Sequence, residues 1–186
     1  MTDYIFELKN EKVKFYHRFG WLVIAGHFSF FLYLAIAAAE KKIQTLSIAA
    51  LVLLTVLFLL QRYFSNSAWR FGLHPFFFVI IMQWIGLEVY WMAGAMLLFD
   101  ILHTLSTRPL KVRVTEQMIL YPSFPVKKIT WPSLNNVILK DNLLTIDLKN
   151  NKLIQQPVDE SKSSPGEKDF NEFCRQQLKA AAAATA

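Results

Sequence analysis

Residues 21–39 read WLVIAGHFSFFLYLAIAAA, a run of 19 residues without a formal charge, and residues 43–61 read IQTLSIAALVLLTVLFLLQ, a second of 19. At about 1.5 Å of rise per residue, an uncharged helix of this length matches the roughly 30 Å hydrocarbon core of a bilayer. The alternative is a pair of buried core helices in a soluble protein. A chain of 186 residues has too little material to surround two such helices on every side. These two stretches therefore make the N-terminal part of the chain a membrane-embedded helical region.

Composition agrees. Hydrophobic residues make up 54% of the chain and charged residues only 18%, against about 25% charged in ordinary soluble domains. The net charge of +6 does not point to nucleic acid, because the basic residues flank the apolar runs and form no stripe interleaved with aromatics. A single cysteine, Cys174, excludes an internal disulfide framework and a cysteine-based zinc site. Ala37-Ala38-Ala39 resembles a small-residue cleavage site after an apolar run. The acidic residues Asp3, Glu7 and Glu11 and the length of the run argue against a secretory signal.

Between Phe71 and Thr107 a single helix would be about 55 Å long and would overshoot the membrane. A hairpin turning at Gly86-Leu87-Glu88 instead gives two short spans and puts the Glu88 carboxylate at the interface, among Trp84, Tyr90 and Trp91. The expected helical region, 21–107, then holds about four spans, near 21–39, 43–61, 74–87 and 89–105. Four spans put Lys9, Lys12, Lys14, Arg18, Arg62, Arg70, Arg108, Lys111 and Arg113 on one side and only Lys41 and Lys42 on the other. The positive-inside rule makes the richer side cytoplasmic, with both termini there. Residues 1–20 form a cytoplasmic N-terminal segment. Tyr4, Phe6 and Leu8 alternate as in a strand, and Val13, Phe15 and His17 do the same after a polar turn; Ile5, Leu8, Phe15 and Phe19 equally fit an interfacial helix.

After Thr107 the apolar period drops to two. Leu110, Val112 and Val114 alternate with Lys111, Arg113 and Thr115, a strand signature. Five more strands are expected at 118–121, 127–131, 137–139, 143–149 and 152–156, with Asn150-Asn151 as a hairpin turn and Pro157 ending the sheet. Asn135, Asn136, Lys140 and Asp141 carry turn chemistry, and Trp131 is expected in the core with Leu134 and Val137. Ser164-Pro165-Gly166-Glu167 reads as a capping box that starts a helix, whose Phe170, Phe173, Cys174 and Leu178 share one face. This β module spans 108–180, with 181–186 as a tail.

Three stretches, YPSF at Tyr121–Phe124, ITWPSLNNVILKDNLLTIDLKNNKLIQ at Ile129–Gln155 and FNEFCRQQL at Phe170–Leu178, resemble bacterial multi-pass membrane proteins, of the Bacteroidota type, with a C-terminal pleckstrin-homology-like (PH-like) domain. The resemblance covers about a third of the chain, Ile119–Leu178. It implies an α+β membrane protein: a helical bundle, then a small antiparallel PH-like module closed by a C-terminal helix and facing the cytoplasm from the bacterial inner membrane. It implies no catalytic residues.

Ionisable groups within an apolar region are functional candidates. Here they are His27, Glu88, Asp100 and His103. Asp100 and His103, three apart on a helix, suit a proton relay or half a metal site; the opposing reading has both near the cytoplasmic end, reaching interfacial water or Arg108. His27 facing His74 or His103 would offer axial haem ligands, although no paired histidine pattern accompanies it. Lys127 and Lys128 are candidates for contact with anionic lipid or a partner; adjacent on a strand, they point to opposite faces, and the opposing reading is a solvated edge. No phosphate-binding loop, dinucleotide fingerprint, nucleophile elbow or HExxH motif is present. The sequence thus points to a non-enzymatic, membrane-anchored interaction or scaffold module. It binds a protein partner or its own copies, with no cofactor and no nucleic acid. The alternative is a small transporter or ion-coupled channel subunit using the intramembrane acids and histidines.

Overall fold

A computed structural model describes residues 3–64, 72–159 and 166–183. The chain divides into two compact units: Lys12–Arg108, and Met1–Glu11 together with Pro109–Ala186. The second unit is therefore discontinuous, and the expected boundaries at 20 and 108 change accordingly. Residues 1–20 are not one segment, because Tyr4–Leu8 forms strand β1 and helix α1 begins at Val13. The charges of Lys14 and Arg18 hid that start, since long basic side chains ride on a helix near its polar end without breaking it.

The first unit is helical: α1 (Val13–Ala37), α2 (Lys41–Tyr63), α3 (His74–Gly86) and α4 (Tyr90–Thr107). Packing runs α1 on α2, α2 on α3, α3 on α4 and α4 back on α1, a closed ring around Ile24, Phe31, Leu54, Phe76, Phe77 and Ile80. Gly20 lets this ring close. A Cβ there would lie 2.6 Å from Leu73 Cδ1 and 3.2 Å from His103 Nε2.

Among the described residues four helices occur where four were expected, but only α1 and α2 are long and apolar enough to cross a membrane. The expectation of about four spans is corrected on this point. With 13 residues α3 reaches about 20 Å, short of the hydrocarbon thickness, and α4 carries Asp100 and His103, which lower its hydropathy. Only 17% of the most apolar window of each long helix is buried. A core helix of a soluble protein would be mostly covered.

The turn between α3 and α4 has a physical cause. Val89 N–H donates to Trp84 O at 2.9 Å and Glu88 N–H to Ile85 O at 2.9 Å, the paired bonds that close a helix with a left-handed residue after its end. Glu88 takes that conformation, with φ of 64°, at a position that usually selects glycine.

The described residues of the second unit hold seven strands, one more than the six expected. β1 (Tyr4–Leu8), β2 (Leu110–Val114), β3 (Met118–Tyr121) and β4 (Lys127–Thr130) form an antiparallel sheet in that order. β5 (Leu134–Lys140), β6 (Leu143–Leu148) and β7 (Leu153–Pro157) form another. The additional strand comes from before the helices: Tyr4, Phe6 and Leu8 stand opposite Val114, Val112 and Leu110. Asp141 and Asn142, at φ 49° and 59°, make the two-residue β5–β6 turn. Asn135 and Asn136 lie in β5, at a register shift rather than in a turn.

The two sheets enclose one core of Phe6, Val112, Ile119, Trp131, Leu144 and Ile146, together with Phe170 of helix α5 (Glu167–Ala183). At one seam Leu8 bridges Val158, and Lys9 N–H donates to Pro157 O at 2.8 Å. At the other, a 3₁₀ turn at Trp131–Ser133 leads β4 into β5. Asn171 fastens α5 to β5: its side-chain amide donates to Leu139 O and its carbonyl accepts from Leu139 N–H, both at 2.8 Å. Ser164 and Pro165 of the expected capping box lie outside the described residues.

Candidate functional site

The polar groups of the helical unit gather toward its two ends. At one end, the α3–α4 turn meets the start of α2, where Lys42 Nζ donates to Glu88 Oε1 at 2.7 Å with both side chains mostly exposed. The ammonium beside it holds the Glu88 carboxyl below its ordinary range. Glu88 is thus a turn residue with an ion-pair partner.

At the other end, His74 opens α3 and its Nδ1–H donates to Asp100 Oδ1 at 2.7 Å. Thr104, one turn after Asp100 on α4, donates its hydroxyl proton to Asp100 O at 2.8 Å and lies 3.2 Å from His74 Nε2. The His74 imidazole is thereby held between the Asp100 carboxylate on one nitrogen and the Thr104 hydroxyl on the other.

His103, three residues beyond Asp100, points elsewhere. Its ring is 5.4 Å from His17 of α1 and packs on Phe77 and Phe99. It is buried, and its Nε2 has no hydrogen-bond partner among the described residues. Asp100 and His103 therefore do not face one another; each has its own histidine. A cavity of about 500 Å³ beside this end is lined by Lys14, His17, Arg18, Trp21 and Gln61 among others.

His27 is occupied locally. Its Nδ1 lies 2.9 Å from Val23 O in its own helix, and its ring packs on Phe31 and Trp84. His17 lies ten residues earlier on α1, about 15 Å along the axis, so the histidine that meets His103 is His17. Among the described residues no group of three or more His, Cys, Asp or Glu is placed to hold a metal ion.

In the β unit, Lys127 and Lys128 are both exposed on β4, an edge strand, opposite Tyr121 and Leu120. Cys174 is fully buried, and desolvation pushes its thiol up to about 12. A nucleophile needs the thiolate, so this cysteine is a core residue.

Sequence reasoning missed His17 and the pairing of His74 with Asp100. The four-residue spacing of Asp100 and Thr104, which sets both on one helical stripe, was a signal; the histidine they share comes from another helix and leaves no local trace. Comparison with protein-family models, with curated proteins and with solved structures finds no match to this chain.

Proposed function

We propose that this chain is a membrane-anchored interaction module, non-enzymatic, in which α1 and α2 cross the bilayer and hold a PH-like β unit on its cytoplasmic face. There it engages a protein partner or a second copy of itself. The carrying observation is the pairing of β1 with β2. One strand precedes all four helices and the other follows them, so the module is tied to its anchor through two connections. Pairing also requires both strands to lie on one side of the membrane. The chain therefore makes an even number of crossings, and α3 and α4 together return it to the side on which α2 ends.

The charge pattern supports the cytoplasmic assignment. Lys9, Lys12, Lys14, Arg18, Arg62, Arg108, Lys111 and Arg113 belong to that side, against Lys41 and Lys42 beside the α1–α2 turn. Seven strands in two sheets with a C-terminal helix support the PH-like reading. The deeply buried Cys174 thiol is a core group and supplies no nucleophile.

Co-purification from mild detergent tests the proposal. A partner or second copy retained by the native chain and lost when Phe6→Asp unfolds the module would support it. Recovery of monomer alone across growth conditions would overturn it.

A second reading has a specific observation behind it: a His74–Asp100 hydrogen bond, beside a buried His103 Nε2 without a partner among the described residues, is a polar arrangement that a passive anchor does not need. In that reading the helical unit conducts or couples to protons. Proton flux in liposomes that disappears in Asp100→Asn would establish it, and equal flux in the two forms would remove it. Glu88 has no part in it, because its carboxylate is exposed and paired at the opposite end.

A further inference from the structure

The sheet β1–β4 has two distinguishable ends. β1 runs toward Leu8, from which four residues lead to α1, and β2 starts at Leu110, two residues after α4. Leu8 and Leu110 are register partners, so they mark one end. β3 runs antiparallel to β2, with Leu120 opposite Arg113, and so it returns toward that end; Tyr121 and Lys127 are partners across the β3–β4 turn. The loop 122–126 therefore sits at the end of the sheet that is tethered to the apolar helices. The β6–β7 turn lies at the opposite end of its own sheet, since Leu143 pairs with Pro157 next to the Leu8–Val158 bridge.

That loop is unusual for a surface turn. Phe124 is 75% exposed and Val126 56%, with Pro125 between them and Lys127 and Lys128 directly after. Further basic residues belong to this end, namely Lys9 after β1 and Lys111 in β2. A water-facing loop gains nothing from an exposed phenylalanine and valine. An aromatic and an aliphatic tip backed by lysines is the composition that seats at a membrane interface, the apolar groups at the headgroup–acyl boundary and the ammonium groups among anionic headgroups. The short tethers keep the loop at high effective concentration near such a surface, so even weak insertion is populated.

We infer that the β3–β4 loop is a lipid-inserting tip: Phe124 and Val126 enter the interface of the bilayer that α1 and α2 cross, and Lys127 and Lys128 bind its anionic headgroups. The inference rests on the membrane-anchored reading and adds a third attachment to the two covalent ones.

The test uses the full chain with a nitroxide on Val126→Cys, in nanodiscs of phosphatidylcholine alone or in equal parts with phosphatidylglycerol. Collision with oxygen, which partitions into lipid, is compared with collision with a water-soluble nickel chelate. Reference labels are Leu53→Cys on the exposed face of α2 and Asn150→Cys in the β6–β7 turn. The expected result is a Val126 label that favours oxygen in the anionic nanodiscs, with the Asn150 label favouring nickel. Replacing both lysines by glutamine shifts the seated-to-lifted equilibrium by about thirtyfold, and phosphatidylcholine alone has a comparable effect. A Val126 label as nickel-accessible as the Asn150 label, with Leu53 still in lipid, overturns the inference and leaves the anchor standing. Shielding of Val126 from both reagents places the loop in a protein contact and also overturns it. A nickel-accessible Leu53 label overturns the anchor itself, and the inference with it.

Discussion

Phe6 stands opposite Val112 in the β1–β2 ladder, although the entire helical unit separates them in sequence. Both side chains are completely buried, and the Phe6 ring meets Phe170 of α5 edge-on with centroids 4.7 Å apart. A strand that precedes all four helices in sequence thus supplies the residue that joins the first sheet to the closing helix.

Phe6→Ala should therefore damage the β unit out of proportion to its place near the chain's start. Truncating a buried phenylalanine costs about 3–5 kcal/mol, a large share of the stability of a small domain. Amide exchange in detergent should show loss of protection across Leu110–Val114 and Met118–Tyr121, while α1 and α2 stay protected. Protection that survived in β2 would mean that β1 is dispensable.

The sidedness required by β1–β2 pairing can be checked with cysteines and an impermeant thiol reagent. Lys9→Cys and Lys149→Cys should react from the same face of sealed vesicles, and Glu40→Cys, beside the α1–α2 turn, from the other. Native Cys174 gives a quiet background, because a thiol pushed up to about 12 is ionised to only about one part in ten thousand near pH 8. Cys174 should become reactive only under denaturing conditions. A reactive Cys174 in the folded protein would contradict its burial.

Most elements were legible in the sequence, for a local reason. The strands after Thr107 announce themselves by alternation at period two, and the long helices by uninterrupted apolar runs. β1 was not fixed, because five residues of alternation fit a strand or one face of a helix, and only a partner beyond α4 decides between them. The α1 start at Val13 was masked by Lys14 and Arg18. The number of spans was overread, because hydropathy identifies an apolar stretch whether it faces lipid or packs as a shorter helix against longer ones. At the candidate site, the residue types were visible, but the pairing was not: His17 with His103, and His74 with Asp100, are contacts between helices.

Two glycines on α1 offer a matched pair. At Gly20 a Cβ would press against Leu73 and His103, whereas at Gly26 nothing lies within 4 Å. Gly20→Ala should destabilise the helical unit by about 1–3 kcal/mol through overpacking. Gly26→Ala should be neutral or gain up to about 1 kcal/mol from helix propensity. Thermal unfolding in one detergent compares them directly. Equal melting temperatures would mean that α1 does not close on Leu73 and His103 as described.

Glu88 separates structure from function at the α3–α4 turn. Lys42 holds its folded carboxyl below the unfolded value of 4.5, so the pair's contribution is fully present above that pH. It is lost as the pH falls through the lower, folded value. Melting temperature measured down into that range should fall less steeply for Glu88→Gln than for the native chain, with a small difference because the pair is exposed. Glu88→Gly removes the carboxylate and also relieves a left-handed backbone at φ 64°, which glycine adopts without steric cost. It should therefore melt higher than Glu88→Gln at neutral pH, the reverse of what a glycine within a helix would do. If Glu88→Gly melted lower, Glu88 would not be the closing residue of α3, and the hydrogen bonds from Glu88 to Ile85 and from Val89 to Trp84 would have to be abandoned with it.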